Sequence, residues 1–162
     1  MPAATRTVLF VCTGNIFRSL TAERALRRAL GGGSPVAVAS AGTADLPDLR
    51  VRDDVAAYLA GRGLDVSDHR RRTLTAEIVG GADLVVSMNS DHRRFLAQQH
   101  GIEAPLYTAA VGEAATDLPD VNDLFAPKDY FTEAAIRHVQ DTIDRIIAGA
   151  PALAQRLHAG AI

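Results

Sequence analysis

Alternating strand-like and helix-like segments predict an α/β fold with an open, four-stranded parallel sheet flanked by helices. Three observations carry this reading. Short apolar runs of strand length alternate with segments whose apolar residues recur at helical spacing. Strands joined through helices pair in parallel with right-handed crossovers. The chain of 162 residues has neither an internal repeat nor a Pro/Gly/Ser-rich linker, so residues 1–162 read as a single domain with its own core.

The first strand is the β-branched run Thr7 to Val11, bounded by Gly14, and the first helix follows from Leu20 to Leu30, with Leu20, Ala22, Ala25, Leu26, Ala29 and Leu30 as its apolar positions. Gly31-Gly32-Gly33 stops it. Val36 to Ala39 is the second strand. Asp53 to Ala60 is the second helix, with Val55, Ala56 and Leu59 on one face and Gly61 and Gly63 closing it. Ala82 to Met88 is the third strand, Asp91 to His100 a helix, and Glu103 to Tyr107 a short fourth strand. Thr132 to Ala148 carries Ile136, Val139, Ile143, Ile146 and Ile147 at helical spacing. The small and apolar residues after Pro151 are expected to form a frayed tail over 151–162.

Composition excludes several classes of partner. The chain is 48% hydrophobic and 22% charged, with 17 basic and 19 acidic side chains, so it lacks the basic excess of a nucleic-acid footprint. Lys128 is its only lysine. Arg70-Arg71-Arg72 reads as a solvated loop partly used for structure. The run Val8-Leu9-Phe10-Val11 is too short for a signal-peptide core or a membrane span, so a cytoplasmic protein without membrane contact is expected. His92, His100, His138 and His158 have no partner at metal-ligand spacing. Cys12 is the single cysteine, which excludes an internal disulfide and a cysteine-cluster metal site. That thiol is either filler or chemistry.

Open parallel sheets bind ligands in the crevice at the carboxyl ends of their strands, where Cys12 sits. From Cys12 the chain runs through Thr13, Gly14, Asn15, Ile16 and Phe17 to Arg18 and Ser19, leaving a strand and entering a helix. Such a loop turns consecutive backbone N–H groups inward, and the helix dipole adds positive potential, making a cradle for a tetrahedral anion. A guanidinium at the rim binds two anion oxygens at once. The same field favours the thiolate form of a cysteine in the cradle. Cysteine and arginine at this spacing alone suit equally such a cradle and a buried small hydrophobe beside a helix-surface charge. The strand-loop-helix context and the Gly14-Asn15 pair favour the cradle.

With these residues in hand, the chain resembles the low-molecular-weight protein tyrosine phosphatases. Their loop pattern C-x-G-N-x-C-R-S matches Cys12 to Ser19 except at Phe17. Ser40-Ala41-Gly42-Thr43, Gly63-Leu64-Asp65 followed by His69 to Arg72, and Ala82-Asp83-Leu84 through Met88 match further segments in order. About 130 residues fall under the pattern. The resemblance implies a flavodoxin-like, three-layer fold with strand order 2-1-3-4. It implies Cys12 as nucleophile, Arg18 as transition-state clamp, and Thr13, Gly14, Asn15, Ile16, Phe17 and Ser19 as the loop that holds phosphate or another oxyanion. Ser19 would donate its hydroxyl to the departing thiolate, and Ser40 and His69 would hold Asn15 in a strained backbone conformation, which asparagine tolerates best after glycine. His69 read alone is a surface histidine. The implied activity is hydrolysis of phosphotyrosine in protein substrates through a phosphocysteine, with no metal or other cofactor.

The family's general acid is the aspartate of a D-P pair in a late loop. Asp120 takes that place here, but Val121 replaces the proline and no tyrosine or tryptophan follows directly. Asp117 and Asp123 remain alternatives, because reach to the leaving oxygen is a matter of geometry. Phe125, Tyr130 or Phe131 would supply an aromatic wall. Ile16 suits a flat ring, whereas arginine-phosphatase relatives place threonine there. Phe17 removes the second cysteine that traps an oxidised nucleophile, so recovery from peroxide should be harder than in a two-cysteine relative. Two rivals stand beside the phosphatase: an arsenate reductase that uses an external thiol, since no second cysteine resolves the first, and a binding module that captures phosphorylated partners without hydrolysis, because Val121 marks an altered lid.

Overall fold

The computed structural model describes residues 6–162; of the N-terminal stretch read for a targeting signal, residues 1–5 lie outside it. The central strand is β1 (Arg6–Cys12), paired in parallel with β2 (Val36–Gly42) and β3 (Leu84–Ser87), so the order is β2-β1-β3. Side chains alternate across β1 as a strand requires. Val8, Phe10 and Cys12 face α1 (Arg18–Leu30) and the last helix, while Leu9 and Val11 face the layer opposite. All five are nearly inaccessible to solvent, and burial of each large side chain contributes roughly 1.5–3 kcal/mol.

Helix α2 (Asp53–Gly61) packs with α1 and the last helix around Phe17, Leu20, Leu59 and Ile143. On the other face lie α3 (Ala76–Gly80) and α4 (Ser90–His100), which contribute Val79 and Leu96. Then come α5 (Tyr107–Ala110), α6 (Val121–Leu124) and α7 (Glu133–His158), with a 3-10 turn at Pro127–Asp129 between the last two. The sequence signals missed α3, α5 and α6, which are single turns set by tertiary packing or by a cap, such as Thr75 Oγ1 accepting from Ile78 N–H at 3.2 Å.

Two expectations are corrected. The fourth strand reduces to one parallel bridge, Ser87 to Leu106, with Ser87 N–H donating to the Pro105 carbonyl at 2.9 Å. Pro105 has no N–H to continue a ladder, and at Tyr107 the chain turns into α5. The tail does not fray at Pro151: α7 runs through it to His158, and the buried Leu153, Ala154 and Leu157 hold the continuation against the core. Gly149 lets α7 approach α5, since a Cβ there would meet Val111 at 3.1 Å and the Tyr107 hydroxyl at 3.3 Å.

Candidate active site

Cys12 ends β1 opposite Gly42 of β2, and the chain then folds back on itself. Only glycine fits at 42, because a Cβ would lie 2.5 Å from the Thr13 carbonyl oxygen. The carbonyls of the next turn all point outward and are all occupied. That of Cys12 accepts from Thr43 N–H (2.9 Å), that of Thr13 from Ala44 N–H (3.1 Å), that of Gly14 from Arg71 Nε (2.9 Å) and that of Asn15 from His69 Nε2 (2.7 Å). A peptide plane whose carbonyl is tied outward turns an N–H inward. The N–H groups of Gly14, Ile16 and Phe17 donate to no acceptor among the described residues, while that of Asn15 points at Cys12 Sγ from 3.3 Å. This concave set of donors, with the N-terminus of α1 behind it, is a nest for an anion.

Asn15 is the one described non-glycine residue with positive φ, at 57°. Its side chain is fully buried and bonded at each polar atom: Nδ2 donates to Ser19 Oγ (3.0 Å) and Ser40 Oγ (2.8 Å), and Oδ1 accepts from Arg72 N–H (3.1 Å). Ser40 in turn donates to the buried Glu23 carboxylate at 3.2 Å. The direction of this relay follows from its ends. A carboxylate only accepts, so Ser40 spends its proton on Glu23 and accepts from Asn15; Ser19 likewise accepts from Asn15. The Ser19 proton is therefore left for Cys12 Sγ, 2.9 Å away. Burial pushes the His69 imidazole toward its neutral form.

The Arg18 guanidinium is 1% exposed. Nη1 donates to the Leu118 carbonyl at 2.8 Å, Nη2 lies 3.3 Å from Asp120 Oδ2, and Nε is buried without a partner among the described residues. Of the three candidate acids, Asp120 reaches this site. Its Oδ1 accepts from the Val121 N–H at 2.8 Å, a donor that the proline of the resembled pattern lacks. Asp117 is taken up by the N–H and hydroxyl of Ser90 (2.8 and 2.7 Å), and Asp123 by Asp120 N–H and Asn89 Nδ2 (2.8 and 3.2 Å).

Cys12, Thr13, Arg18 and Asp120 line one cavity of about 270 Å³. Its walls include Ile16, Leu46, Leu49, Tyr130 and Val139. Of the three aromatic candidates, Tyr130 lines the cavity, Phe125 packs against the α1/α7 core, and Phe131 lies exposed with the Arg52 guanidinium 4.3 Å above its ring. Sequence reasoning did not single out Glu23, Arg72 or His92 for the site. Arg71 is half-buried and donates to the Gly14 and Ala44 carbonyls, while Arg72 is exposed yet reaches Asn15 through its backbone N–H and the Ser40 carbonyl through Nε. His92 is buried on α4, with Nε2 2.8 Å from Thr13 Oγ1, and burial together with the charge of Arg18 pushes it down to about 4. Among the described residues no group of three or more His, Cys, Asp or Glu side chains is placed to hold a metal ion, and no helix is long and apolar enough to cross a membrane.

Comparison with known proteins agrees with this geometry. Residues 7–160 match the family model for low molecular weight phosphotyrosine protein phosphatase. The chain is 33% identical over 142 residues to the probable low molecular weight protein-tyrosine-phosphatase EpsP of Ralstonia solanacearum, covering 86% of this chain and 92% of that protein. Among solved structures, a YwlE arginine phosphatase mutant with a phosphorylated active-site serine superposes with a TM-score of 0.79 at 26% identity, covering 94% of this chain and 95% of the other. The low molecular weight protein tyrosine phosphatase of T. tengcongensis gives a TM-score of 0.75 at 28% identity, over 93% and 99% of the two chains. The chain therefore belongs to the low molecular weight phosphotyrosine protein phosphatase family.

Proposed function

We propose that this protein hydrolyses phosphotyrosine in protein substrates through a phosphocysteine on Cys12. The observation that carries the reading is the loop itself, four consecutive carbonyls tied outward around a cysteine whose cavity also holds Arg18 and Asp120. In the first step the Cys12 thiolate attacks phosphorus in line. The S–P bond forms, the P–O bond to the phenol breaks, and protonated Asp120 gives its proton to the leaving oxygen. Loop amides and Arg18 bind the equatorial oxygens as charge develops on them. In the second step Asp120, now a carboxylate, takes a proton from water as that water attacks phosphorus. The S–P bond breaks, and the thiolate leaves into the hydrogen bonds of Ser19 and Asn15.

The apolar walls favour an aryl ester over phosphoarginine. Asp120 is the only carboxylate among the described residues that line the cavity, so a guanidinium leaving group finds no second acid among them to pair with. Ile16 gives the ring an apolar face. The need for a reduced thiol fits action in the cytoplasm. Turnover of a phosphotyrosyl peptide beside a phosphoarginyl peptide and arsenate tests the reading. Phosphotyrosine is expected to be preferred, with loss of all turnover in Cys12→Ser. Preference for phosphoarginine or for thiol-dependent arsenate reduction would overturn the substrate, and absence of any turnover would favour a binding module.

A further inference from the structure

Thr13 is held at two points. Its carbonyl accepts from Ala44 N–H at 3.1 Å, and its Oγ1 meets His92 Nε2 at 2.8 Å across 79 residues of sequence. His92 is 3% exposed in the first turn of α4, with Nδ1 3.1 Å from the backbone N–H of Asn89. An N–H only donates, so Nδ1 is an acceptor and the single proton of the neutral ring sits on Nε2. Nε2–H therefore donates to Thr13 Oγ1. The Thr13 hydroxyl proton is left over, with no acceptor among the described residues, on a residue that lines the cavity beside Cys12 and Arg18.

We propose that His92 is a positioning residue, which turns the Thr13 hydroxyl so that it donates to an oxygen of the bound phosphate. This rests on the phosphatase reading above and adds a side-chain donor to the loop amides. The polarity of the chain depends on a neutral ring. A second proton on Nδ1 would face the Asn89 N–H, donor against donor. Burial and the Arg18 charge oppose that proton, while Asp91, Asp117 and Asp123 favour it and are outweighed.

The test separates the two nitrogens. In His92→Asn the amide oxygen can still accept from Asn89, but the side chain stops short of Thr13; in His92→Gln an amide N–H reaches Thr13. Affinity for inorganic phosphate, measured by titration calorimetry, is the readout, so it does not depend on which ester is turned over. His92→Asn and Thr13→Val are each expected to weaken phosphate binding about tenfold, their combination no further, and His92→Gln to recover most of the loss. Additive losses, or an unchanged affinity in His92→Asn, would overturn the role of His92 alone. A parent protein that binds no phosphate overturns both this proposal and the anion-loop reading. Should His92→Asn fail to fold, Thr13→Ser against Thr13→Val carries the test: serine keeps the affinity and valine loses it, and equal affinities contradict the proposal.

Discussion

Arg18 and Asp120 meet at 3.3 Å, and the same guanidinium binds the Leu118 carbonyl at 2.8 Å, so the arginine of the anion loop also docks the segment that carries the carboxylate. One planar fork therefore holds that segment, and in the proposed mechanism it also holds the phosphate. An ammonium cannot share its donors in this way. Arg18→Lys is expected to lower kcat/KM for p-nitrophenyl phosphate by at least about a hundredfold and to lower Tm as well. Parent-like turnover in this variant would show that the fork is not needed.

Among the described residues Asp120 is the carboxylate that lines the Cys12 cavity, and in the proposed mechanism it is the acid. Asp120→Asn should cost about a hundred- to ten-thousand-fold in kcat with phosphotyrosine, whose leaving group needs a proton, and clearly less with a leaving group that is already a weak base. Asp117→Ala and Asp123→Ala, which lose bonds to Ser90 and to the α6 cap, should show mainly reduced stability, of roughly 1 kcal/mol. Equal losses with both substrates for Asp120→Asn would reassign the acid.

The Asn15 backbone and side chain can be separated. Glycine adopts φ near 57° without strain but makes none of the three side-chain bonds; alanine lacks the bonds and strains the backbone as well. Both variants should lose turnover, with Asn15→Ala less stable in urea than Asn15→Gly by about 1 kcal/mol. Equal stabilities would mean that the loop relaxes out of the left-handed region.

His92 makes stability depend on pH. Its pKa falls from 6.5 in the unfolded chain to about 4 in the folded one, so between these values the unfolded chain binds more protons and gains on the native state. Stability from this group is complete above pH 6.5, declines as pH falls toward 4, and is lost below it, a change on the order of 3 kcal/mol. Burial shifts His69 in the same direction. Urea midpoints of the parent should therefore fall between pH 6.5 and 4 more steeply than those of His92→Asn. Parallel curves would contradict a neutral buried ring.

What was legible in the sequence was whatever is local. The run from Cys12 to Ser19 names its own chemistry, and α1, α2 and α4 carry a helical period within a few residues of where they form. The bonds that shape the loop are not local. Arg70-Arg71-Arg72 read as a solvated loop partly used for structure, but nothing near them in sequence says that the nitrogens of Arg71 and Arg72 end on Gly14 and Ser40. His92 has no signal at all without Thr13, which lies on another element. Glu23 offered a faint one: at i+4 from Ser19 it shares a face of α1 with the cradle. The tail was misread because Pro151 is a strong local stop, while the burial that overrides it is tertiary.

The most direct measurement is rapid chemical quench of the parent protein with radiolabelled phosphotyrosyl peptide, followed by peptide mapping. Label bound covalently to the Cys12 peptide, lost on a timescale matching turnover and absent in Cys12→Ser, is the predicted result. Turnover at parent rate without label on Cys12, or label on another residue, would contradict the phosphocysteine mechanism.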